Sequence, residues 1–188
     1  MDEIELIRQL KEGREPAFRW LVDAYRDRVY GIVLQILQDP DEAEDAAQET
    51  FIQVHASVGD FRGSSRLSTW IYRIAVNKAL VKIRRRKTRS RLQAVMPWWM
   101  PAENRSSGAV WLNPGIRAEN REMASALFKA ISGLPEKQRL AFTLITVQGM
   151  SYEEACGILQ LGVKAVESLV SRAKAGLRKK LEQDFKNT

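Results

Sequence analysis

Arg66, Trp70, Arg73, Asn77 and Arg84 recur at spacings of four, three, four and seven, which puts cations, an indole and an amide on one face of a helix. The chemistry open to such a face is non-covalent: cations track phosphates, and a flat ring stacks on a base whose π-face is hidden inside an intact duplex. Residues 61–91, FRGSSRLSTWIYRIAVNKALVKIRRRKTRSR, hold eleven Lys or Arg and no Asp or Glu. From Ser68 onward they read as a helix with a second, apolar stripe of Leu67, Ile71, Ile74 and Ala75. A solvated basic helix with one core Trp has the same composition, so this stretch alone leaves both readings open. Ahead of it, Gly59, Gly63, Ser64 and Ser65 frame Phe61 and Arg62. Small residues in such a loop let an extruded base approach the backbone, with Phe61 as an apolar wall; an ordinary connector has the same makeup.

Two further clusters stand out. In DEAEDAAQETFIQVHASV, Ala43, Ala46, Ala47, Thr50, Phe51 and Val54 take one side of a helix, and Asp41, Glu44, Asp45, Gln48 and Glu49 take the other. A metal site would recruit His and carboxylates from more than one element, and His55 is the only histidine. That leaves a solvated acidic face or a docking surface for a basic partner. In SYEEACGILQLGVKAVESLVSRAKAGLRKKL, Ser151 with Glu154 forms a capping box and Gln160–Val163 a tight turn. A longer helix follows from Lys164 to Leu181, with Val166, Leu169, Val170, Ala173 and Leu177 inward. This is the outline of a helix-turn-helix, whose second helix enters the major groove, although an amphipathic hairpin in a bundle fits the same pattern. Glu167 and Ser168 suit base edges, and Arg172, Lys174, Arg178 and Lys179 suit phosphates.

Helices must carry these residues. Residues 2–12 alternate as a short amphipathic helix stopped by Gly13, and Phe18, Leu21, Val22, Tyr25, Val29, Ile32, Val33 and Ile36 mark a core helix from Pro16 to Leu37. Gln38-Asp39-Pro40 breaks it, and Asp39 or Asp41 can cap the next helix. A helix over Glu119–Ile131 and another over residues 135–149, opened by Pro135 and stopped by Gly149, precede the helix-turn-helix. Residues 88–116, with Trp98, Trp99, Trp111 and several prolines but no period, read as a linker; those indoles are too apolar for a purely solvated spacer.

Charge divides along the same lines. The net +7 of the 188 residues combines an acidic block over 1–60 (6 basic, 14 acidic), the basic block over 61–91, and a mildly basic remainder with 13 basic and 9 acidic residues. An acidic block beside a basic one points to two macromolecular partners. The single cysteine, Cys156, excludes an internal disulfide and a cysteine-rich zinc site and fits a reducing cytoplasm. No apolar run reaches membrane-spanning length, and MDEIELIRQL lacks the basic-then-apolar order of a secretory signal. An enzyme reading lacks a nucleophile–base pattern and a Gly-rich phosphate loop. Its best version is a metal-dependent nuclease using the carboxylate row.

DEAEDAAQETF, FRGSS, STWIYRIAVNKA, LPEKQRLAFTLITVQGMSYEEA and VKAVESLVSRAKAGLRKKL closely resemble, in order and spacing, the extracytoplasmic-function class of bacterial RNA polymerase sigma factors. The resemblance spans about residues 15–87 and 120–182 and misses the linker. It implies an all-α chain of two small helical domains joined by a flexible linker: a region 2 bundle over 1–87, a linker over 88–116, and a region 4 helix-turn-helix over 117–188. It implies docking on the clamp helices of the polymerase largest subunit through Asp41, Glu44, Asp45, Gln48, Glu49 and Phe51, with the flap as a further polymerase contact. Flipped −10 bases then fall to Phe61, Arg62, Gly63, Ser64, Trp70, Arg73 and Asn77, with Arg66 and Arg84 on the same face. Duplex −35 DNA falls to Lys164, Glu167, Ser168, Ser171 and Arg172, with Lys174 and Arg178 on phosphates.

The family further implies an anti-sigma factor as partner, a cytoplasmic location unless that factor holds the chain near the membrane, and no cofactor, metal, small-molecule substrate or stable membrane insertion. Housekeeping sigma factors carry a second Trp where this chain has Ile71, so opening is expected to depend more on a well-matched −10 sequence. The free protein, its DNA readers joined by a flexible tether, is expected to bind promoters poorly. The alternative is an autonomous helix-turn-helix regulator that binds duplex DNA without polymerase.

Overall fold

The computed structural model describes residues 2–95 and 121–186. Among them are eight α-helices and no strand. Helices α1 (Glu3–Lys11), α2 (Glu15–Leu37), α3 (Pro40–Ser57) and α4 (Leu67–Val95) make the N-terminal bundle; α5 (Arg121–Ser132), α6 (Glu136–Phe142), α7 (Tyr152–Leu159) and α8 (Val163–Lys186) make the C-terminal unit. No helix among the described residues is long and apolar enough to cross a membrane.

Local chemistry sets most helix ends. Pro16 lies in the first turn of α2, where a missing N–H costs nothing, and Gln38 closes that helix in the left-handed region with its N–H on the Leu34 carbonyl. The Asp39 side chain accepts the Glu42 N–H at 3.0 Å and so caps α3. Ser151 and Glu154 form the reciprocal capping box expected at α7. Gln160, left-handed at φ 55°, turns the chain between α7 and α8. Helix α4 starts at Leu67, one residue before Ser68, and the Leu67 N–H donates to the Glu3 carboxylate at 2.9 Å. The helix expected over 135–149 is also interrupted. After Phe142 it widens into a π-helical turn, Thr143–Val147, before Gly149 ends it at φ 64°.

The bundle core is built from Leu21, Ile32, Ile36, Leu37, Leu67, Ile71 and Val76, each no more than 2% exposed. Burying each of the larger aliphatic side chains contributes about 1.5–3 kcal/mol. Ala43 and Ala46, fully buried, let α3 lie close against α2 and α4. Helix α4 runs on to Val95, through residues 88–95 that composition alone assigns to the linker. Residues 96–120, with Trp98, Trp99 and Trp111, lie outside the described residues.

The C-terminal unit has a small core of its own: Ala130, Ile131, Leu134, Phe142, Ala173 and Leu177. Its other apolar residues, among them Leu140, Leu144, Met150, Ala155, Ile158, Val166 and Val170, merge with the core of the N-terminal bundle. α7 packs on α4, and α5, α6 and the π-turn pack on α2. The two units therefore share apolar surface, which an expectation of two separately tethered readers does not include.

Candidate nucleic-acid interface

Helix α4 separates its two stripes as the spacing requires. Leu67, Ile71, Ala75 and Ala79 are buried; Arg66, Asn77 and Arg84 are exposed; Trp70 and Arg73 are half-buried. Phe61 is 5% exposed and its ring meets the Trp70 indole at 5.1 Å between centroids, tilted by 45°. Phe61 thus sits beneath Trp70 and fixes the indole plane, instead of standing free as a wall for a base. Arg62, Gly63 and Ser64 are exposed in the loop, and Gly63 takes φ 69°, a backbone that favours glycine. Ile71 is fully buried, so position 71 presents nothing to a strand in this rotation of α4.

The basic run divides into free and tied cations. Arg84 and Arg85 are exposed and carry no ion pair among the described residues. Arg86 Nη2 reaches Glu42 Oε2 at 2.5 Å and Asp39 Oδ2 at 3.6 Å, tying α4 to the start of α3. Lys87 Nζ reaches Glu136 Oε2 of α6 at 2.5 Å.

On α3, Asp41, Glu44, Asp45 and Gln48 are exposed, with Glu49 and Phe51 half-buried. The row is not uniform. Lys82, only 14% exposed in its side chain, lies 3.6 Å from Asp45 and 3.3 Å from Glu49, and Lys78 lies 3.8 Å from Glu49. Two of the carboxylates therefore also hold α3 to α4, whereas Asp41 and Glu44 have no such α4 partner among the described residues. The spacing of Lys78 and Lys82 mirrors that of Asp45 and Glu49, a four-residue complement visible in the sequence. Ile52, 69% exposed, continues the outer face one turn beyond Gln48 and was also missed.

In the helix-turn-helix, Lys164, Glu167, Ser168, Ser171, Arg172, Lys174 and Arg178 are all exposed on α8, opposite buried Val166, Leu169, Val170, Ala173 and Leu177. Arg172 donates to the Ser168 hydroxyl at 2.9 Å and to its carbonyl at 3.2 Å, which pre-orients both side chains.

Arg28 was not foreseen. Its guanidinium lies 5.4 Å over the Tyr72 ring and donates to the Gln148 carbonyl at 2.6 Å, joining the two units. Burial pushes the Tyr72 phenol up, and Arg28 works against that rise.

The family model described as Sigma-70 region 2 matches residues 21–89, and that described as Sigma-70, region 4 matches residues 124–177. The RNA polymerase sigma-H factor of Pseudomonas aeruginosa is 32% identical over 181 residues, covering 95% of this chain and 93% of that protein. The ECF RNA polymerase sigma-E factor of Escherichia coli strain K12 is 34% identical over 183 residues, covering 94% and 93%. Among solved structures, CnrH in complex with the cytosolic domain of CnrY superposes with a TM-score of 0.71 at 23% identity over 97% of this chain and 98% of that one. The sigma factor RpoE of Bartonella quintana, in complex with the anti-sigma factor NepR, gives 0.67 at 24% identity over 88% and 96%. At those identities the structural likeness speaks for the fold.

Proposed function

This chain belongs to the extracytoplasmic-function class of sigma-70 family RNA polymerase sigma factors, and we propose that three of its surfaces divide the work of directing core polymerase to promoters and opening them. The outer face of α3, with Asp41, Glu44, Asp45, Gln48, Glu49 and Phe51, docks on the largest-subunit clamp helices. Once docked, it holds α4 beside the DNA. Trp70, with Arg62, Gly63, Ser64, Arg66, Arg73, Asn77 and Arg84 around it, then takes flipped −10 bases and their phosphates. Phe61 supports the indole from below. The exposed side of α8 reads the −35 element as duplex through Lys164, Glu167, Ser168, Ser171 and Arg172, with Lys174 and Arg178 on phosphates.

The carrying observation is the Phe61–Trp70 pair at 5.1 Å, which holds a half-exposed indole at a set tilt between Arg66 and Arg73. A ring already immobilised loses little side-chain freedom when a base stacks on it, and unstacking a step costs a few kcal/mol that stacking and phosphate contacts must offset. The chain supplies binding and positioning, with no bond-making step of its own. Control by an anti-sigma factor, in the cytoplasm, fits the class and the partner named with the Bartonella quintana relative.

Run-off transcription with added core polymerase on a library of candidate promoters tests this reading. Specific transcripts are expected only with core enzyme present, and Trp70→Ala is expected to lose open complexes while keeping core binding. Tight, specific duplex binding without polymerase, unaffected by Trp70→Ala, would instead identify an autonomous regulator.

A further inference from the structure

The exposed side of α8 is basic with one exception. Between Val163 and Leu181 the helix carries Lys164, Arg172, Lys174, Arg178, Lys179 and Lys180, and its only acid is Glu167. Glu167 lies exposed in the second turn, on the side away from buried Val166, Leu169 and Val170. No ion pair neutralises it among the described residues. Lys164, one turn earlier, makes none with it, and Arg172 is engaged elsewhere: its Nε donates to the Ser168 carbonyl at 3.2 Å and its Nη2 to the Ser168 hydroxyl at 2.9 Å. Ser168 and Ser171 beside Glu167 are short, so neither holds the carboxylate back from the floor of a groove.

A bare carboxylate on a duplex-binding face lowers affinity for every sequence, because a DNA duplex carries a negative charge about every 1.7 Å along its axis. The loss is offset only where the carboxylate meets a hydrogen-bond donor. In the major groove guanine offers N7 and O6 and thymine offers O4, all acceptors, which repel it. Adenine sets its N6 donor beside the N7 acceptor, an arrangement that suits an amide. Cytosine presents its N4 amine with no acceptor of its own on that edge, and this is the match for a carboxylate. We infer that Glu167 is a specificity-determining residue of the −35 contact: its carboxylate accepts from the N4 amine of one cytosine and turns away guanine and thymine at that position. The assignment deepens the reading of α8 as the −35 helix and rests on it. Because Arg172 stays on Ser168, a mismatched site meets the carboxylate un-neutralised, so the same side chain both selects and rejects.

The test uses the full chain with core polymerase on barcoded promoter templates randomised across the −35 region, with transcripts sequenced at one fixed salt concentration. Circular dichroism melts serve as the folding control. The parent is expected to favour cytosine at one position by about tenfold over guanine or thymine. Glu167→Ala is expected to flatten the preference at that position alone, and Glu167→Gln to shift it towards adenine, whose N6 and N7 an amide matches. Both variants should melt with the parent, since the residue is exposed. Arg178→Ala, the phosphate control, should lower output across the whole library and leave the base profile as it was. A base profile untouched by Glu167→Ala while Arg172→Ala still alters it would overturn the assignment alone. So would a profile flattened at several positions together with a lowered melting temperature, which marks a structural role. A lost preference for a base other than cytosine would overturn the choice of base. No preference anywhere in the region, or a profile indifferent to Arg172→Ala as well, would overturn α8 as the −35 helix, and the role of Glu167 with it.

Discussion

The Glu3 carboxylate accepts the Leu67 N–H at 2.9 Å, so the first helix caps a helix that begins sixty-four residues later. An N-terminal N–H of α4 is thereby satisfied by a side chain from α1, and the start of α4 is pinned where Arg66 and Trp70 emerge.

Glu3→Ala is expected to destabilise the fold by about 1 kcal/mol, with Glu3→Gln costing less because its amide oxygen can still accept. Urea unfolding followed by circular dichroism measures both. Equal stability of Glu3→Ala and the parent would mean that the cap contributes nothing.

Glu5 gives a dependence on pH. Hydrogen bonds from Arg8 and Gln9 hold its carboxyl down from 4.5 to about 2. A depressed carboxyl stabilises the folded chain above its ordinary value, and that contribution fades as pH falls from 4.5 towards 2. The gap in melting temperature between the parent and Glu5→Gln should therefore be present at neutral pH and shrink on acidification below 4.5. A gap that widens in acid contradicts the assignment.

Ile71 is fully buried, so Ile71→Trp, although it restores the housekeeping residue, is expected to cost about 1–3 kcal/mol by overpacking without improving promoter opening. Thermal melts and permanganate footprinting of the open complex read the two effects separately. A stable variant with faster opening would show that α4 can rotate to present this position.

Charge reversal separates docking from architecture on α3. Asp41→Lys with Glu44→Lys is expected to weaken core-polymerase binding about tenfold at an unchanged melting temperature. Asp45→Lys with Glu49→Lys should weaken binding too, and also lower the melting temperature, because Lys82 and Lys78 then face like charges. Co-purification and melts on both pairs decide it; full binding by both would remove α3 from the docking surface.

Most of the helices were legible in the residues. The three- and four-residue apolar steps of α2 and α3, the Asp39 cap, the Ser151–Glu154 box and the α8 stripe all depend on neighbours within a turn or two, and such short-range patterns survive in any fold that keeps the helix. Composition fared less well at the end of α4, where the basic run gave no sign that the helix would continue to Val95. The π-turn after Phe142 was likewise invisible, since a widened turn keeps helical composition.

By itself, the chain of residues determined the helices, their polar and apolar faces, and the family, because periodicity and ordered motifs are local properties. Only the tertiary structure decided that Phe61 lies under Trp70, that Ile71 points inward, that Lys82 holds Asp45 and Glu49, and that Glu136 and Glu154 rest on α4. Those facts follow from how far each helix is rotated and where it crosses its neighbours. Rotation and crossing are set by side-chain packing among all the elements together, which no spacing along a single helix records.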